Sequence, residues 1–317
     1  MILSGITISG GGLSLTPAGG AAGPIYPGTS YGYTGTPAIT RYSYASDGNA
    51  VSVGTLQSPG MNRSSNPGIA SETNGYVAGS TAIATPGDKR NIQKYSYASA
   101  TTNAAVSALL VTPGKYDTAG SSSKAQGYGY VIAGDTGDPS NTIEKFSFSA
   151  DTNSTLTGGI TVGTTGYMAG LSSPANGYTA QYVDPRFTPA GNSIRKFSFA
   201  SDGNAVTTAT SASQWQFYQM SCSTEHGYMS GGNDGSTLVE RFSFASDTTV
   251  VSFGNTLYAT GSRASGSSST THGYQLPGRI PAGFSNWLTK FPYATGSGAS
   301  SVGTLASSSE GWASTQV

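Results

Sequence analysis

The sequence is poor in cysteine and in charge, and each shortage excludes a class of protein. Cys222 is the only cysteine among the 317 residues, so an intrachain disulfide framework is impossible and thiolate metal clusters are excluded. Charged residues make up 9 % of the chain, with 15 basic and 15 acidic side chains. Because no lysine and arginine cluster is dense enough to follow a phosphate backbone or an anionic membrane, we expect no nucleic-acid partner and no membrane-surface partner.

Long apolar runs are also missing. None approaches the roughly 18 residues that a membrane-spanning helix needs, so we expect no membrane insertion. The N-terminal residues Met1–Gly12 have neither a basic segment nor a continuous apolar core, which makes them a poor secretory signal. We therefore expect synthesis in a cytoplasm. A function outside the cell would require another export route, such as assembly into a particle.

Glycine and aromatic residues are plentiful. The chain contains 45 Gly, 19 Tyr and 11 Phe, and the aromatic residues occur along its whole length. Disordered chains are poor in aromatic residues, so the composition favours a folded protein. We interpret the glycine and serine residues as turn residues between many short strands, which predicts an all-β protein.

A repeat of about 50 residues is the strongest pattern in the sequence. Its first motif is a basic residue followed by two aromatic residues that alternate with a small or polar one, and successive copies start 53, 51, 51, 45 and 49 residues apart. The copies are Arg41–Ala45, Lys94–Ala98, Lys145–Ser149, Lys196–Ala200, Arg241–Ala245 and Lys290–Ala294. In a strand, the two aromatic side chains of each copy would lie on one face, where they supply bulk for packing.

A Gly-Tyr pair precedes each copy of the first motif. These pairs are Gly32-Tyr33, Gly75-Tyr76, Gly127-Tyr128, Gly177-Tyr178, Gly227-Tyr228 and Gly273-Tyr274, and a final copy is Gly311-Trp312. Each unit then reads as four short strands. In the fifth unit we place them at Phe217–Ser223, Gly227–Gly232, Leu238–Phe244 and Val250–Phe253.

Four-stranded units of this size are only marginally stable alone and must pack on one another. Radial packing around an axis predicts a β-propeller of about six blades over residues 31–317. The stretch Leu305–Trp312 would close the ring by completing blade one. Seven blades would result if strands at Ile6–Ser9 and Leu13–Leu15 paired with Gly311-Trp312. Residues 1–30 would form a separate β-rich docking segment.

The order of serine-rich strand, Gly-Tyr strand, aromatic strand and short apolar strand resembles the kelch repeat. The resemblance is strong at Gly227–Gly232 and weaker at Gly75–Ser80 and Gly177–Tyr182, which lack the second glycine of the motif. A narrower resemblance, carried by Lys196–Val206, Ser267–Tyr274 and Met1–Pro17, is to kelch-like virion structural and tail-associated proteins of marine bacteriophages, of the cyanophage type. The kelch resemblance implies kelch-like four-stranded blades.

The phage resemblance implies a non-catalytic virion protein, on the tail or its fibres rather than the capsid, made in the host cytoplasm. Residues 1–30 would dock it to other virion proteins, and the propeller would contact those proteins or a host surface receptor, either glycan or protein. It would be oligomeric within the particle. One alternative is a capsid decoration protein without a receptor role. A less favoured alternative is a secreted-type propeller enzyme, either a copper oxidase or a glycan-acting enzyme.

The copper alternative depends on His226, His272 and the nearby Cys222. Both histidines lie just before a Gly-Tyr pair, where other units carry Asn74, Gln126, Asn176 or Glu310. We interpret this as a polar blade position and expect no metal, no cofactor and no catalytic residue. The turn acids Asp47, Asp151, Asp202 and Asp247 are explained by local turn hydrogen bonds. A calcium loop at Gly134–Asn141 is less favoured than an ordinary polar loop.

The variable loops give the candidate binding face. In a propeller blade the b–c and d–a loops share one face, and here the b–c loops are long and dissimilar (80–91, 135–142, 183–193 and 276–287). Aromatic and basic residues on loops over a rigid scaffold are typical of a recognition surface. The candidates are Lys89, Arg90, Tyr116, Arg186, Phe187, Trp215, Tyr258, Arg279 and Trp287. The other interpretation is that these aromatic side chains pack inward.

Overall fold

The computed structural model describes residues 7–9, 12–14, 30–36, 38–56, 68–79, 90–99, 103–112, 115, 117–134, 140–160, 168–182, 192–211, 219–232, 236–247, 249–259, 265–276, 278–280, 283–306 and 313–314. Strands and turns dominate these ranges, in agreement with the prediction of an all-β protein. None of the helical residues in these ranges belongs to a helix that is long and apolar enough to cross a membrane.

Six four-stranded antiparallel sheets form the six blades of a β-propeller, and each blade runs from an inner strand (a) to an outer strand (d). Blade 1 contains β28 (Ala313–Ser314), β3 (Tyr31–Thr36), β4 (Ala38–Ser43) and β5 (Val51–Thr55). Blade 2 contains β6 (Gly68–Ala70), β7 (Asn74–Ala78), β8 (Asn91–Ser96) and β9 (Asn103–Leu109). Blade 3 contains β10 (Ala119–Ser123), β11 (Tyr128–Ile132), β12 (Thr142–Ser147) and β13 (Thr155–Gly159).

The other three blades repeat this order. Blade 4 contains β14 (Ala169–Ser172), β15 (Asn176–Tyr182), β16 (Asn192–Ser198) and β17 (Val206–Thr210). Blade 5 contains β18 (Gln219–Cys222), β19 (His226–Ser230), β20 (Leu238–Ser243) and β21 (Val250–Asn255). Blade 6 contains β22 (Ser265–Ser268), β23 (His272–Leu276), β26 (Trp287–Pro292) and β27 (Ser300–Thr304). Two small hairpins lie outside the blades: β1 (Thr7–Ser9) with β2 (Gly12–Ser14), and β24 (Arg279–Ile280) with β25 (Gly283–Phe284).

The ring is closed by the strand nearest the C-terminus. Strand β28 pairs with β3, Ala313 opposite Gly35 and Ser314 opposite Thr34, and the a strands of neighbouring blades contact one another all the way around. The predicted count of six blades and the predicted closure of the ring by the C-terminal strand are confirmed, but the residues that pair, Ala313 and Ser314, follow the predicted stretch Leu305–Trp312. The seven-blade alternative is wrong, because β1 pairs with β2 in a separate hairpin and the closing strand is used by blade 1.

The aromatic repeat forms the contacts between blades. Tyr130 of blade 3 stacks on Phe199 of blade 4, with ring centroids 5.0 Å apart, and lies 5.1 Å from Phe197. The same arrangement recurs at every interface: Tyr33 on Tyr95 and Tyr97, Tyr76 on Phe146 and Phe148, Tyr178 on Phe242 and Phe244, Tyr228 on Phe291 and Tyr293, and Tyr274 on Tyr42 and Tyr44. Each such pair contributes about 0.5–1.5 kcal/mol beyond the area it buries.

The glycine of the Gly-Tyr motif makes room for an aromatic ring of its own blade. Gly177 pairs across the sheet with Phe197, and a Cβ atom at Gly177 would lie 2.3 Å from that ring. In blade 3 this role falls to Gly129, opposite Phe146. The assignment of the motif to Gly127-Tyr128 was therefore wrong by two residues, because the ring that stacks on the next blade is Tyr130.

The turn aspartates do more than shape turns. Asp202 in the c–d turn of blade 4 accepts bonds from Lys145 (2.9 Å) and from the Tyr130 hydroxyl (3.1 Å), both in blade 3. The equivalent ion pairs are Lys94–Asp151 (3.1 Å), Lys196–Asp247 and Lys290–Asp47 (2.6 Å). Local hydrogen bonds alone were thus an incomplete explanation of these acids, since all four also connect neighbouring blades.

Where the next blade has no turn aspartate, arginine replaces lysine. The c–d turn segments 97–102 and 293–299 contain no acid. The preceding blades carry Arg41, whose guanidinium lies 4.6 Å from the centre of the Tyr31 ring, and Arg241, which lies 4.4 Å from that of Phe253. An arginine stacks on an aromatic face more readily than a lysine does, so the choice of cation follows from the neighbouring blade.

Candidate functional site

Four of the nine predicted loop-face residues fall within the described chain. They are Arg90, Tyr258, Arg279 and Trp287. The other five, Lys89, Tyr116, Arg186, Phe187 and Trp215, lie outside the described residues.

Tyr258 and Trp287 come together on the loop face between blades 5 and 6. Tyr258 follows the d strand of blade 5, and Trp287 begins the c strand of blade 6. Their ring centroids are 5.3 Å apart with an interplanar angle of 48°. Tyr258 is 44 % exposed and the neighbouring Leu257 is 40 % exposed, so at this position the aromatic side chain does not pack inward. The Thr256 hydroxyl donates to the Tyr258 carbonyl at 2.9 Å and fixes the backbone beneath the ring.

Arg90 and Arg279 are on the same face but belong to different blades. Arg279 lies in the hairpin β24–β25, paired with Phe284, within the long b–c connection of blade 6. Arg90 precedes the c strand of blade 2, and its carbonyl accepts a 2.8 Å bond from the Leu110 amide. Because blade 1 separates blades 6 and 2, Arg90 is not part of the Tyr258–Trp287 cluster. The hairpin itself was not predicted from the sequence.

A second candidate site, which the sequence did not predict, lies on the propeller axis. It is a cavity of about 360 Å³ between the a strands and the a–b turns. Its lining residues come from blades 2 to 6: Gly68, Gly120, Ser121, Ser122, Lys124, Ala125, Ser172, Ser173, Pro174, Cys222, Ser223, Thr224, Ser269 and Thr270. Among the described residues of this lining, Lys124 is the one that carries a charge. The cavity reaches the turn face, opposite the variable loops.

Serine hydroxyls in this region bridge neighbouring a strands. The Ser122 Oγ accepts a 2.9 Å bond from the Ala70 amide of blade 2, and the Ser172 Oγ accepts a 2.7 Å bond from the Ser122 amide. The Ser268 Oγ accepts a 2.8 Å bond from the Cys222 amide. The a strands lie at the free inner edge of each blade, so these bonds satisfy backbone groups that no strand partner reaches.

Cys222 is buried in the wall of this cavity. Burial raises the pKa of its thiol, although the Ser268 hydroxyl beside the sulfur acts in the opposite direction. A thiol with a raised pKa carries little thiolate at neutral pH and is a poor nucleophile. The arrangement therefore gives Cys222 a packing role in the cavity wall.

The two histidines occupy equivalent positions, each at the start of the b strand of its blade. Burial lowers the pKa of both His226 and His272. The His272 Nδ1 lies 2.8 Å from the Thr271 hydroxyl. In the part of the chain that the structure describes, no three His, Cys, Asp or Glu side chains are grouped so that they could hold a metal ion.

Comparisons of the whole sequence with known proteins add no family. No protein-family model matches the chain, and no curated protein matches it at a significant level.

Proposed function

We propose that this chain is a non-catalytic recognition module that works as a virion structural protein associated with a tail or tail fibre. Its loop face would contact a host surface receptor or another virion protein. The observation that carries the proposal is the contact between the exposed Tyr258 ring and the half-buried Trp287 ring on the loop face of the propeller. Exposed aromatic side chains on a rigid scaffold are the usual anchors of recognition surfaces.

The scaffold beneath this pair supports the proposal because it is built to be rigid. Every interface between blades carries the same aromatic stack, and buried clusters join neighbouring blades, as where Tyr130 and Ile132 meet Phe197 and Phe199. A binding surface on such a scaffold loses little conformational entropy when a partner docks. A protein that must keep one shape on the outside of a particle would benefit from the same rigidity.

The virion assignment rests on the resemblance of the blades to kelch-like phage proteins. The low charge of the chain supports it in one respect, since few lysine and arginine residues mean few sites for trypsin-like proteases. On this proposal residues 1–30 dock to a neighbouring virion protein, so that the propeller projects outward.

Binding to host cells tests the recognition role. The double variant Tyr258→Ser/Trp287→Ser should bind host cells at least about tenfold more weakly than the unmodified chain, as expected for loss of two aromatic anchors. Leu156→Ser is the matched control, because Leu156 is 54 % exposed on a d strand away from this pair. Thermal unfolding of all three proteins shows whether the fold is kept. Equal binding by the folded double variant and the control would refute recognition by this pair.

Immunogold labelling of virions tests the location. Gold on the tail or its fibres is the expected result. Gold on the capsid would replace the proposal with a decoration role. Particles without the protein would end the virion assignment altogether.

A further inference from the structure

Lys124 reaches the axial cavity because the a–b turn of blade 3 is longer than those of blades 2, 4, 5 and 6. Four residues separate the cross-strand partners Cys222 and Gly227 in blade 5, whereas six separate Ser122 and Gly129 in blade 3. The two additional residues belong to the turn that carries Lys124. The departure from the repeat thus places a cation on the axis, where the described lining residues from the other blades are all uncharged.

The side chain of Lys124 is partly buried in the wall of this cavity. Within the described ranges, no hydrogen bond or ion pair involves its Nζ atom. Burial lowers the pKa of Lys124, with the fields of Cys222 and Glu72 acting in the opposite direction. Glu72 is itself exposed to solvent. A partly desolvated cation is costly, and an anion beside it would offset that cost.

The hydroxyls near Lys124 are also arranged as donors. Ser122 and Ser172 each accept a backbone N–H bond, which leaves the hydroxyl hydrogen to donate. Across the described residues, neither hydroxyl has an acceptor. One ammonium and two free hydroxyl donors match the oxygens of an anion, and the lining residues that the structure describes include no carboxylate.

The size and opening of the cavity suit a small molecule. Its volume of about 360 Å³ falls at the lower end of the roughly 300–1,000 Å³ of ligand pockets and far exceeds the ~30 Å³ share of one water. The rim residues Ala125, Thr224 and Thr270 are exposed, so the cavity communicates with solvent at the turn face.

We propose that the axial cavity binds a small molecule through an oxyanion group, either a carboxylate or a phosphate. The Lys124 ammonium supplies the opposite charge, and the Ser122 and Ser172 hydroxyls donate to the oxygens. The site lies away from the loop face, so a negative result for one proposal does not affect the other.

Calorimetric titration with defined probes tests this site. The probes are inorganic phosphate and succinate, and uncharged succinamide is the matched control for succinate. We expect saturable binding of at least one anion and none of succinamide. Binding of phosphate but not succinate would identify a site for phosphate groups. Binding of succinate but not phosphate would identify a site for carboxylates. Absence of saturable binding by both anions at tens of millimolar would overturn the proposal.

Two lysine variants assign the binding to the cavity. Lys124→Met should weaken anion binding at least about tenfold, the loss expected for one charge-assisted hydrogen bond. Lys94→Met makes the same change of charge at an ion pair on the turn face, away from the cavity lining, and should leave the affinity unchanged. Equal affinity of Lys124→Met and the unmodified protein would place the anion elsewhere and refute the site. Thermal unfolding confirms that both variants are folded.

Discussion

The interface between blades 2 and 3 contains two lysine–carboxylate ion pairs that differ in their surroundings. At the turn face, Lys94 lies 3.1 Å from Asp151, with side chains 26 % and 42 % exposed. Toward the loop face, Lys115 lies 2.9 Å from Glu144, and both side chains are 0 % exposed. The first pair recurs at four interfaces. The second has no equivalent among the ion pairs between described residues.

The buried pair is embedded in a network of hydrogen bonds. Glu144 accepts bonds from the amides of Val111 (2.8 Å) and Thr112 (3.2 Å), while the Lys115 ammonium donates to the Thr142 hydroxyl (2.6 Å). Glu144 thereby fixes the d–a connection between the two blades. In blade 5 the equivalent Glu240 bonds to the Ser211 hydroxyl instead. The repeated pair thus adds a little to each of the four interfaces that carry it, and the buried pair organises one connection.

Removal of Lys115 is expected to have the largest effect. Lys115→Met leaves the Glu144 carboxylate buried without its counter-charge and should lower the free energy of unfolding by about 3–5 kcal/mol. Denaturant unfolding measures the change. The double variant Lys115→Met/Glu144→Gln should recover part of the loss, because no uncompensated charge remains. A loss below about 1 kcal/mol in the single variant would contradict the importance of this pair.

The buried pair should also make stability depend on pH. Burial alone would raise the pKa of Glu144, but the charge of Lys115 and the hydrogen bonds from Ser154 and Thr112 hold it below the usual value of 4.5. The stabilisation is therefore present above the usual value and is lost as the pH falls through the lower pKa of the folded state. The free energy of unfolding of the unmodified protein should decrease more steeply with falling pH than that of the double variant Lys115→Met/Glu144→Gln. Parallel pH profiles would show that Glu144 does not contribute.

The exposed pair should give the smallest effect. Lys94→Met should lower the free energy of unfolding by about 0.2–1 kcal/mol, because solvent screens the pair. Its contribution should fall further in about 1 M salt, whereas that of Lys115 should change little. Denaturant unfolding at low and high salt compares the two. A salt-insensitive loss of several kcal/mol at Lys94 would remove the distinction between the pairs.

The repeating blade architecture was predictable from the sequence, whereas the partners on neighbouring blades and the features that occur once were not. The spacing of the aromatic motif predicts six blades because each blade needs one tyrosine and one aromatic pair for its neighbours. In blade 3 the sequence reads Gly127-Tyr128-Gly129-Tyr130, so either Gly-Tyr pair fits the motif. Only the position of Phe146 opposite Gly129 decides between them. With the motif assigned to Gly127-Tyr128, the two additional turn residues of blade 3 and the position of Lys124 at the axis are not recognised.

Partners on neighbouring blades are the other part that spacing does not reveal. The sequence around Asp202 indicates only that it is a turn residue. Its ion pair with Lys145 depends on how blades 3 and 4 pack against each other. Tyr258 and Trp287 were both predicted for the loop face, but nothing in their sequence separation indicates ring contact. That contact follows from the adjacency of the d–a connection of blade 5 and the c strand of blade 6.

Closure by β28 has a consequence for the order of folding. During synthesis β3 emerges early, while its partner Ala313–Ser314 is the last strand of the ring to appear. Until then the growing arc presents an unpaired strand edge, the feature that promotes edge-to-edge association between chains. Individual blades can form as they are made, but β3 gains a partner on its inner side only when those two residues reach it.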